Sequence, residues 1–457
     1  MTNQQQDSRT DSKTDLVKSP SSSSKTTLQG FQNHFKFFWS FFHFPIIVGV
    51  CLIFLLALVG IWNGNYNKFV DSTTAIHGYH QWDLKNTDSL DSFLNYGGLV
   101  RDSGHYTFIA KNGSYLVADN SKFLDNFAFF PLYPMEIRFI HTITFLDYPQ
   151  SVLLTGFINT LLFCCLLYLF LNKYIVSKDT LDKVFLLSCL LPFNYFFFVS
   201  YSESLFGSLL LLILLILRLC NFSNPVNKFH ISLYLLPLLT FLISLTRSPG
   251  VIISVMIGLL LIQSGYKNFL LLFSKQNLRV TMLLLFSIFT NISGLVSFLL
   301  YGFIQTGNFW ISRDVQANWD RGSTKNILEP IFNFISDTVL RCLTDYCYAT
   351  NYINPVYWGF SLVLIILSLV VSIKYFRKTP LFIPIFFSSI LFCALPLTTN
   401  TLMSLHRLFI ISPIYFLFLP IFITHYIPKK YYHIILCLFV MFFFITASYY
   451  YKIETVG

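Results

Sequence analysis

The sequence has very little charge. Of its 457 residues only 11% are Asp, Glu, Lys or Arg, while 54% are hydrophobic and 18% are aromatic. Soluble domains carry roughly 25% charged residues, so this chain could not cover a water-facing surface. The 52 Phe and 26 Tyr side chains need burial, which excludes a disordered chain. Apolar runs unbroken over about 20 residues are typical of membrane-spanning helices and not of a β-barrel. The sequence therefore predicts an all-α polytopic membrane protein.

Several chemical motifs are also missing. The sequence has no Asp-x-Asp triplet, no glycine-rich phosphate loop, no zinc motif and no Ser-His-Asp arrangement with a telling spacing. The formal net charge of +10 is scattered over short loops, which argues against nucleic acid as a partner. Most of the nine cysteines lie in apolar runs as packing residues. Cys342 and Cys347 share a polar loop, where a disulfide would require an oxidising lumen.

The apolar runs predict about 11 transmembrane helices. Residues 1–43 are expected to form a disordered cytosolic tail, because their first part is rich in Gln, Ser and Thr, and residues 44–62 form a signal anchor. The further predicted spans cover residues 149–170, 184–200, 203–219, 230–246, 249–264, 280–304, 355–373, 380–397, 406–425 and 431–450.

Basic residues concentrate in the loops on one side of this predicted topology. The positive-inside rule makes that side cytosolic, which places the N-terminus in the cytosol and the C-terminus on the opposite side. Two loops on the non-cytosolic side, residues 63–148 and 305–354, are too long to be simple connectors. Loops of this length are usually functional, so we expect the chemistry there.

The first long loop holds the residues on which a reaction could rest. It contains Leu99-Val-Arg-Asp-Ser-Gly-His-Tyr106 and, later, Ala128-Phe-Phe-Pro-Leu-Tyr-Pro134. Asp102 beside His105 at a membrane edge could serve as a general base for a lipid-borne substrate. Capping of the following helix is the plainer explanation for Asp102, and a structural hydrogen bond is the plainer one for His105. The two prolines of the second segment predict an extended or kinked stretch with aromatic rings at the membrane interface.

This loop resembles the GPI mannosyltransferase 2 family. In that family Gly-Gly-Leu-x-Arg-Trp-Asp-x-x-His-Phe/Tyr-x-x-Ile-Ala precedes Ala-Phe-Phe-Pro-x-x-Pro. Gly97–Tyr106, Ile109-Ala110 and Ala128–Pro134 follow the same order here, and the last segment is the most specific match. Weaker matches, which extend the resemblance over residues 44–450, are Tyr201-Ser-Glu-Ser-Leu-Phe206, Thr246-Arg-Ser248, Gln316-x-x-Trp319 and His406-Arg407.

The resemblance implies a GT-C-like glycosyltransferase domain over residues 44–457, with a lumenal catalytic loop at 63–148 and a second lumenal loop at 305–354. The donor would be dolichyl phosphate mannose, and the acceptor a GPI glycolipid intermediate that receives its second mannose in an α1,6 linkage with inversion. The protein would be a multi-pass protein of the endoplasmic reticulum membrane, in contact with membrane lipids and with room for a small accessory membrane subunit. No cofactor and no metal are implied, and the missing Asp-x-Asp triplet fits a lipid-phosphate donor.

The resemblance also suggests roles for individual residues. Asp102 would be the catalytic base and His105 its neighbour in the acceptor site. Glu203 would support the base or orient the acceptor sugar, unless it is only a charge at a helix N-terminus. Candidates to neutralise the leaving phosphate are Arg101, Arg247, Arg313, Arg321 and Arg407, of which Arg247 and Arg407 could instead be snorkelling residues at span ends. The full set of expected substrate-binding residues is Arg101, Glu203, Arg247, Gln316, Arg407, Phe129, Phe130, Pro131 and Pro134.

Two departures from the family pattern leave alternatives open. The Trp that precedes the catalytic Asp is missing, so that Arg101 adjoins Asp102, and Ser114 is an insertion after the motif glycine. Trp82-Asp83 keeps Asp83 as a rival base, although its distance from the rest of the motif is wrong. A multi-span lipid or solute transporter is a second hypothesis and predicts charges buried at mid-span. A GT-C glycosyltransferase with another acceptor is a third.

Overall fold

The structure is a computed structural model that describes residues 23–64, 94, 102–116, 124–218, 231–265, 272–274, 277–319, 353–377, 381–398 and 405–451. Every regular element within these ranges is helical, which confirms the all-α prediction for them. The chain divides into two compact units, Met1–Phe44 and Pro45–Gly457. The site described below belongs to the second unit.

Fifteen α-helices carry the described part of the fold. They are α1 (Ser23–Gly64), α2 (Asp102–Asn112), α3 (Leu132–Thr144), α4 (Tyr148–Asn172), α5 (Lys178–Leu190), α6 (Ser202–Leu217), α7 (Leu236–Ser244), α8 (Ile252–Gly265), α9 (Leu278–Thr306), α10 (Ile311–Asp314), α11 (Ile353–Val371), α12 (Phe382–Ala394), α13 (Leu405–Ile410), α14 (Leu419–Tyr426) and α15 (Lys429–Tyr451). Short 3₁₀-helices cover Leu124–Ala128, Asn194–Phe197, Ile231–Leu235, Ser248–Val251, Val315–Trp319 and Leu395–Thr398, and π-helical turns cover Ser372–Phe376 and Ile414–Phe418.

Many of these helices are apolar enough for a membrane. Five helical stretches in the described part are also long enough to cross one, namely Trp39–Trp62, Tyr148–Asn172, Leu278–Thr306, Gly359–Phe376 and Lys429–Ser448. Shorter apolar helices are Ser202–Leu217, Ile231–Ser244, Ser248–Ser264, Phe382–Ala394 and Ile414–Tyr426. Each predicted span falls on one or more of the observed helices. These helices indicate a multi-pass membrane protein, while the predicted number of spans stays a prediction.

Prolines interrupt two predicted spans. The span expected over 184–200 ends as α5 at Leu190, and a new short helix begins at Asn194 after Pro192. The span expected over 406–425 is divided after Pro413, where a π-helical turn separates α13 from α14. A proline lacks the N–H that continues the hydrogen-bond ladder and its ring collides with the preceding turn, so the helix must break or change its winding there.

The tail and the long loops contain helices of their own. α1 begins at Ser23, within the segment that the sequence predicts to be disordered, while residues 1–22 lie outside the described part. α2 and α3 lie within loop 63–148, and α10 lies within loop 305–354. The division into a tail and an enzyme domain, and the lumenal placement of the loops, stay predictions.

Close helix contacts bring the site-bearing segments together. α9 packs along α7 and α8, and α4 packs along α6 and α3. Gly207 of α6 lies so near Phe163 of α4 that an added Cβ would approach its ring to 2.9 Å. Gly294 of α9 likewise leaves no room for a Cβ beside Ser244 of α7. Small residues at such contacts let apolar helices approach closely, which is the usual packing mode inside membranes.

Candidate active site

Four charged side chains from distant parts of the sequence meet at one place. Asp102 is the first residue of α2, and Glu203 lies in the first turn of α6. Arg247 immediately precedes the short helix Ser248–Val251, and Arg407 lies within α13. All four are predicted site residues, and the structure joins them in one group of ion pairs, called the charged cluster below.

Arg407 links the two carboxylates of the charged cluster. Its Nη1 donates to Oδ2 of Asp102 at 2.5 Å. Its Nε and its Nη2 each lie 2.9 Å from Oε1 of Glu203. The guanidinium of Arg247 contacts the same oxygen of Glu203. Two arginines therefore converge on one carboxylate oxygen, and one of them also binds the second carboxylate.

The members of the charged cluster differ in exposure. The side chain of Glu203 is 0% exposed, that of Arg407 10%, that of Arg247 14% and that of Asp102 20%. Two positive and two negative charges balance formally, which lowers the cost of holding them among apolar helices. Asp102 is thus the more exposed of the two carboxylates, and Glu203 is enclosed by protein.

Aromatic rings as well as carboxylates surround the guanidinium of Arg407. Its central carbon lies 4.6 Å from the ring centre of Tyr201 and 5.2 Å from that of Phe196, which is the range of a cation–π contact. A guanidinium is too basic to lose its proton in a protein. Arg407 therefore stays protonated, as the ion pairs require.

Hydrogen bonds fasten α2 to the start of α6. The hydroxyl of Ser103 donates to the backbone carbonyl of Ser200 at 2.8 Å, and the hydroxyls of Tyr106 and Ser202 are 2.8 Å apart. Burial raises the pKa of Tyr106 to about 12, so its phenol remains neutral and can keep this bond. These contacts fix the two helix ends that carry the carboxylates of the charged cluster.

His105 lies on α2, three residues after Asp102, and is almost fully buried. Its Nδ1–H donates to Oδ1 of Asn126 at 2.9 Å, and its ring stacks on Phe129 with 4.5 Å between the ring centres. Burial lowers the pKa of His105 below its ordinary value of 6.5, against the opposing effect of the bond to Asn126. The imidazole is therefore neutral near pH 7 and is fixed in orientation by its neighbours.

The aromatic and proline residues from Phe129 to Pro134 support the site from within the protein. Phe129 is 8% exposed and Phe130 is 5% exposed, and the ring centre of Phe130 lies 4.5 Å from that of Phe298 on α9. The rings thus pack against protein, and their placement at the membrane interface stays a prediction. The prolines do not produce the extended stretch that the sequence allowed. Pro131 precedes α3 and Pro134 lies in its first turn, where backbone N–H groups have no partner within the helix, so proline is tolerated.

Gln316 lies on the short helix Val315–Trp319, and this helix packs against Leu124–Ala128. Because Leu124–Ala128 carries the Asn126 that binds His105, the structure brings Gln316 to the His105 side of the site. Arg313, a further candidate for the phosphate, is exposed on α10. The remaining residues singled out from the sequence lie outside the described residues, and these are Asp83, Arg101, Arg321, Cys342 and Cys347. The choice between Asp102 and Asp83 as the base, and the disulfide, therefore stay predictions.

Sequence reasoning missed the neutral residues around the charged cluster. The hydroxyl of Tyr201 accepts a hydrogen bond from the backbone N–H of Asp102 at 3.2 Å, in addition to its stacking on Arg407. Tyr106 follows Asp102 by one helical turn, a spacing that could have indicated a shared face. Asn126 has no such signal, because its importance depends on where Leu124–Ala128 packs.

The arrangement offers a proton acceptor beside two permanent cations. An accessible carboxylate can take a proton from a hydroxyl group, and a guanidinium can bind the two oxygens of a phosphate at once. Within the described ranges, no group of three or more His, Cys, Asp and Glu side chains is placed to hold a metal ion.

No protein-family model and no curated protein matches the sequence. Among solved structures, the chain is similar to the archaeal oligosaccharyltransferase AglB from Archaeoglobus fulgidus in complex with an inhibitory peptide and a dolichol-phosphate, with a TM-score of 0.46, 11% sequence identity and coverage of 88% of this chain and 56% of that one. The structure of the Archaeoglobus fulgidus oligosaccharyltransferase in complex with Zn and sulfate gives a TM-score of 0.44 and 11% sequence identity. The match covers 88% of this chain and 53% of that one. The structure of the same enzyme tethered by a disulfide bond to an acceptor peptide with the NVT sequon gives a TM-score of 0.44 and 10% sequence identity. The match covers 88% of this chain and 55% of that one. The chain thus spans about half the length of these proteins.

Proposed function

We propose that the protein is a GT-C-type mannosyltransferase that uses dolichyl phosphate mannose and adds the second, α1,6-linked mannose to a GPI precursor in the lumen of the endoplasmic reticulum. The observation that carries this proposal is the charged cluster, in which Arg407 holds the accessible carboxylate of Asp102 and, with Arg247, the buried carboxylate of Glu203. The sequence resemblance of residues 97–134 supplies the identity of the donor and the acceptor.

The reaction needs one proton transfer and one displacement. A hydroxyl of the acceptor sugar gives its proton to the carboxylate of Asp102 while its oxygen forms a bond to C1 of the mannose. The bond between C1 and the phosphate oxygen breaks in the same step, and its electron pair leaves with dolichyl phosphate. One displacement inverts C1, so a β-linked donor yields an α-linked product.

Arg247 is the arginine best suited to the leaving phosphate. Its described ion pair is with Glu203 alone, whereas Arg407 is shared between Glu203 and Asp102. Arg247 can therefore turn towards a phosphate without releasing the base. A guanidinium placed in advance at a developing negative charge is among the strongest contributions to catalysis.

Glu203 then acts through its neighbours. Its side chain is 0% exposed, so it does not touch a substrate in this arrangement. Its negative charge keeps Arg247 and Arg407 beside each other despite their repulsion. We expect Glu203 to be a positioning residue and Asp102 to be the catalytic one.

A transporter is a weaker explanation of the same cluster. Transport of a charged solute predicts ionisable residues at the middle of spans. Asp102 and Glu203 instead begin their helices, and Arg247 lies in the turn between α7 and α8. A lipid-linked donor also suits a site bounded by apolar helices, with membrane lipids around it and a small accessory membrane subunit as a further proposed partner.

Complementation of cells that lack GPI mannosyltransferase 2 tests the proposal. The readout is GPI-anchored protein at the cell surface, for the wild type and for Asp102→Asn at equal expression. Asp314→Asn is the matched control, because Asp314 is an exposed acid on α10 in the second long loop. We expect rescue by the wild type and by Asp314→Asn, and loss of rescue with Asp102→Asn.

The other outcomes of this experiment are also decisive. Rescue by all three chains would keep the mannosyltransferase function and remove Asp102 as the base, which would leave Asp83 as the candidate. No rescue by a wild-type chain that is correctly inserted in the endoplasmic reticulum would contradict the GPI acceptor. A glycosyltransferase with another acceptor, or the transporter, would then be the better explanation.

A further inference from the structure

A fully buried asparagine lies in the middle of the apolar helix α9. Asn291 is 0% exposed, and α9 is one of the candidate membrane spans. A buried amide costs free energy unless its donors and acceptors are all satisfied. Polar residues inside membrane spans are expensive and tend to be functional, which makes the partners of Asn291 informative.

The side-chain amide of Asn291 makes a full set of hydrogen bonds. Its Nδ2 donates to the backbone carbonyls of Thr240 at 2.7 Å and Gly250 at 3.2 Å. Its Oδ1 accepts hydrogen bonds from Ser254, one from the backbone N–H at 3.2 Å and one from the hydroxyl at 2.5 Å. Two donor hydrogens and two acceptor positions are thus in use, which is the complete capacity of an amide.

These partners lie on both sides of the turn that carries Arg247. Thr240 belongs to α7, Gly250 to the short helix Ser248–Val251, and Ser254 to the first turn of α8. The N–H of Gly250 in turn donates to the backbone carbonyl of Arg247 at 2.9 Å. One side chain of α9 therefore holds the segments before and after Arg247.

Packing confines the same turn from the other side. A Cβ at Gly250 would collide with the backbone carbonyl of Ile243, so the turn already touches the end of α7. The N–H of Leu132 also donates to the carbonyl of Leu245 at 3.0 Å. Because the turn cannot move closer to α7, the hydrogen bonds to Asn291 decide whether it moves away.

We propose that Asn291 is a positioning residue of the active site, which sets the location of the Arg247 guanidinium at Glu203 by fixing the turn between α7 and α8. The inference rests on the proposed function for the role of Arg247 towards a leaving phosphate. The placement of Arg247 by Asn291 does not depend on which substrate is used, so the two can be tested separately.

The placement is tested without any substrate, on the full chain in detergent. In an Arg247→Cys background, the rate of alkylation at position 247 is measured by mass spectrometry with and without Asn291→Ala. Gly250→Ala is a second way to displace the same turn. Thr290→Val is the matched control, because the hydroxyl of Thr290 bonds Pro237 O at 2.9 Å and the hydroxyl of Thr240 at 3.0 Å. These bonds lie in the same contact of α7 with α9, but on α7 itself and not on the turn that carries Arg247.

We expect Asn291→Ala and Gly250→Ala each to change the alkylation rate by at least about threefold, and Thr290→Val to leave it unchanged. The thermal unfolding midpoint of each variant shows whether it is folded. If Asn291→Ala unfolds, Asn291→Ser replaces it, because serine keeps one hydroxyl donor. An unchanged rate in a folded Asn291 variant would overturn the inference. So would an equal change with Thr290→Val.

The consequence for catalysis is tested by a double-mutant cycle on mannose transfer. A displacement of about 1 Å is enough to lower a rate strongly, so we expect Asn291→Ala to reduce kcat/KM about tenfold. In an Arg247→Ala background the same substitution should cost little, because its effect passes through Arg247. Equal losses in both backgrounds would overturn this role. If the wild type transfers no mannose while the alkylation result holds, the proposed function fails and the placement of Arg247 stands.

Discussion

Asp102 and Arg407 lie 305 residues apart in the sequence and share a hydrogen bond of 2.5 Å between Oδ2 and Nη1. The same guanidinium binds Glu203, so one arginine fixes the spacing of two carboxylates that come from different helices. The orientation of the accessible carboxylate is therefore set jointly by α2, α6 and α13. A carboxylate held in this way keeps a fixed direction, which a general base needs in order to meet the proton that it accepts.

We expect Arg407→Lys to lower mannose transfer by at least about 100-fold although it preserves the charge. A lysine ammonium is a point charge on a flexible stem, so it cannot bond both carboxylates and stack on Tyr201 as the planar guanidinium does. The measurement is transfer of labelled mannose from dolichyl phosphate mannose by purified protein. Arg279→Lys is the control, because Arg279 is an exposed arginine in the first turn of α9. Full activity of Arg407→Lys would show that charge alone suffices at this position.

The sequence predicted the charged members of the site better than their pairing. Asp102 stands in the loop motif, and Glu203, Arg247 and Arg407 stand at the ends of apolar runs that the charge bias placed on one side. The structure brings all four together. Which arginine binds which acid depends on the depth at which each helix ends and on how the helices pack. Neither follows from hydropathy.

Irregular features of the backbone were the hardest to anticipate. Hydropathy located the apolar segments, because burial in a membrane needs only an apolar run of sufficient length. Hydropathy did not indicate that α5 ends before Pro192 or that α3 starts directly after Pro131. A proline is compatible both with a helix break and with a helix start, so the residue type alone does not decide between them. The role of Asn291 was also hidden, because a single amide in an apolar run gives no sign of the turn that it will bind.

The lowered pKa of His105 predicts how stability depends on pH. The unfolded chain takes up a proton near pH 6.5, while the buried imidazole takes it up only at lower pH. The unfolded state therefore binds more protons below pH 6.5, and acidification through this range reduces the free energy of unfolding. We expect His105→Gln, which can still donate to Asn126, to lose less stability between pH 7 and pH 5.5 than the wild type. Denaturant unfolding in the same detergent at both pH values measures the difference.

The two slopes of stability against pH, for the wild type and for His105→Gln, are compared directly. Identical slopes for the wild type and His105→Gln would mean that the imidazole of His105 titrates as it does in the unfolded chain. That result would contradict the burial of His105 against Phe129.

Glu136 on α3 should give a pH dependence of the opposite sign. Burial raises its pKa from the ordinary 4.5 to about 7, although the amide of Asn159 donates to its Oε2 at 2.8 Å. The folded state then binds more protons than the unfolded state between pH 4.5 and pH 7, so stability falls as the pH rises through this window. We expect the free energy of unfolding of the wild type to fall relative to that of Glu136→Gln as the pH rises over this range. Above about pH 7 the difference between the two proteins should stay constant. A constant difference in unfolding free energy from pH 4.5 to 7 would show that folding does not raise the pKa of Glu136.

Gly113 follows α2 at a position where a side chain would meet two obstacles, backbone strain and a collision with Arg138. Two substitutions can separate these effects. Its φ of +64° disfavours any side chain, and an added Cβ would collide with the guanidinium of Arg138. Gly307 after α9 has a similar φ of +72°, but among the described residues no neighbour from elsewhere in the chain lies within 4 Å of an added Cβ. Gly307→Ala should therefore cost about 1 kcal/mol of unfolding free energy from backbone strain, and Gly113→Ala should cost more. In an Arg138→Ala background the collision is removed, so the cost of Gly113→Ala should fall to that of Gly307→Ala. Equal costs for the two glycines in the wild-type background would mean that Arg138 moves aside freely and does not hold the end of α2.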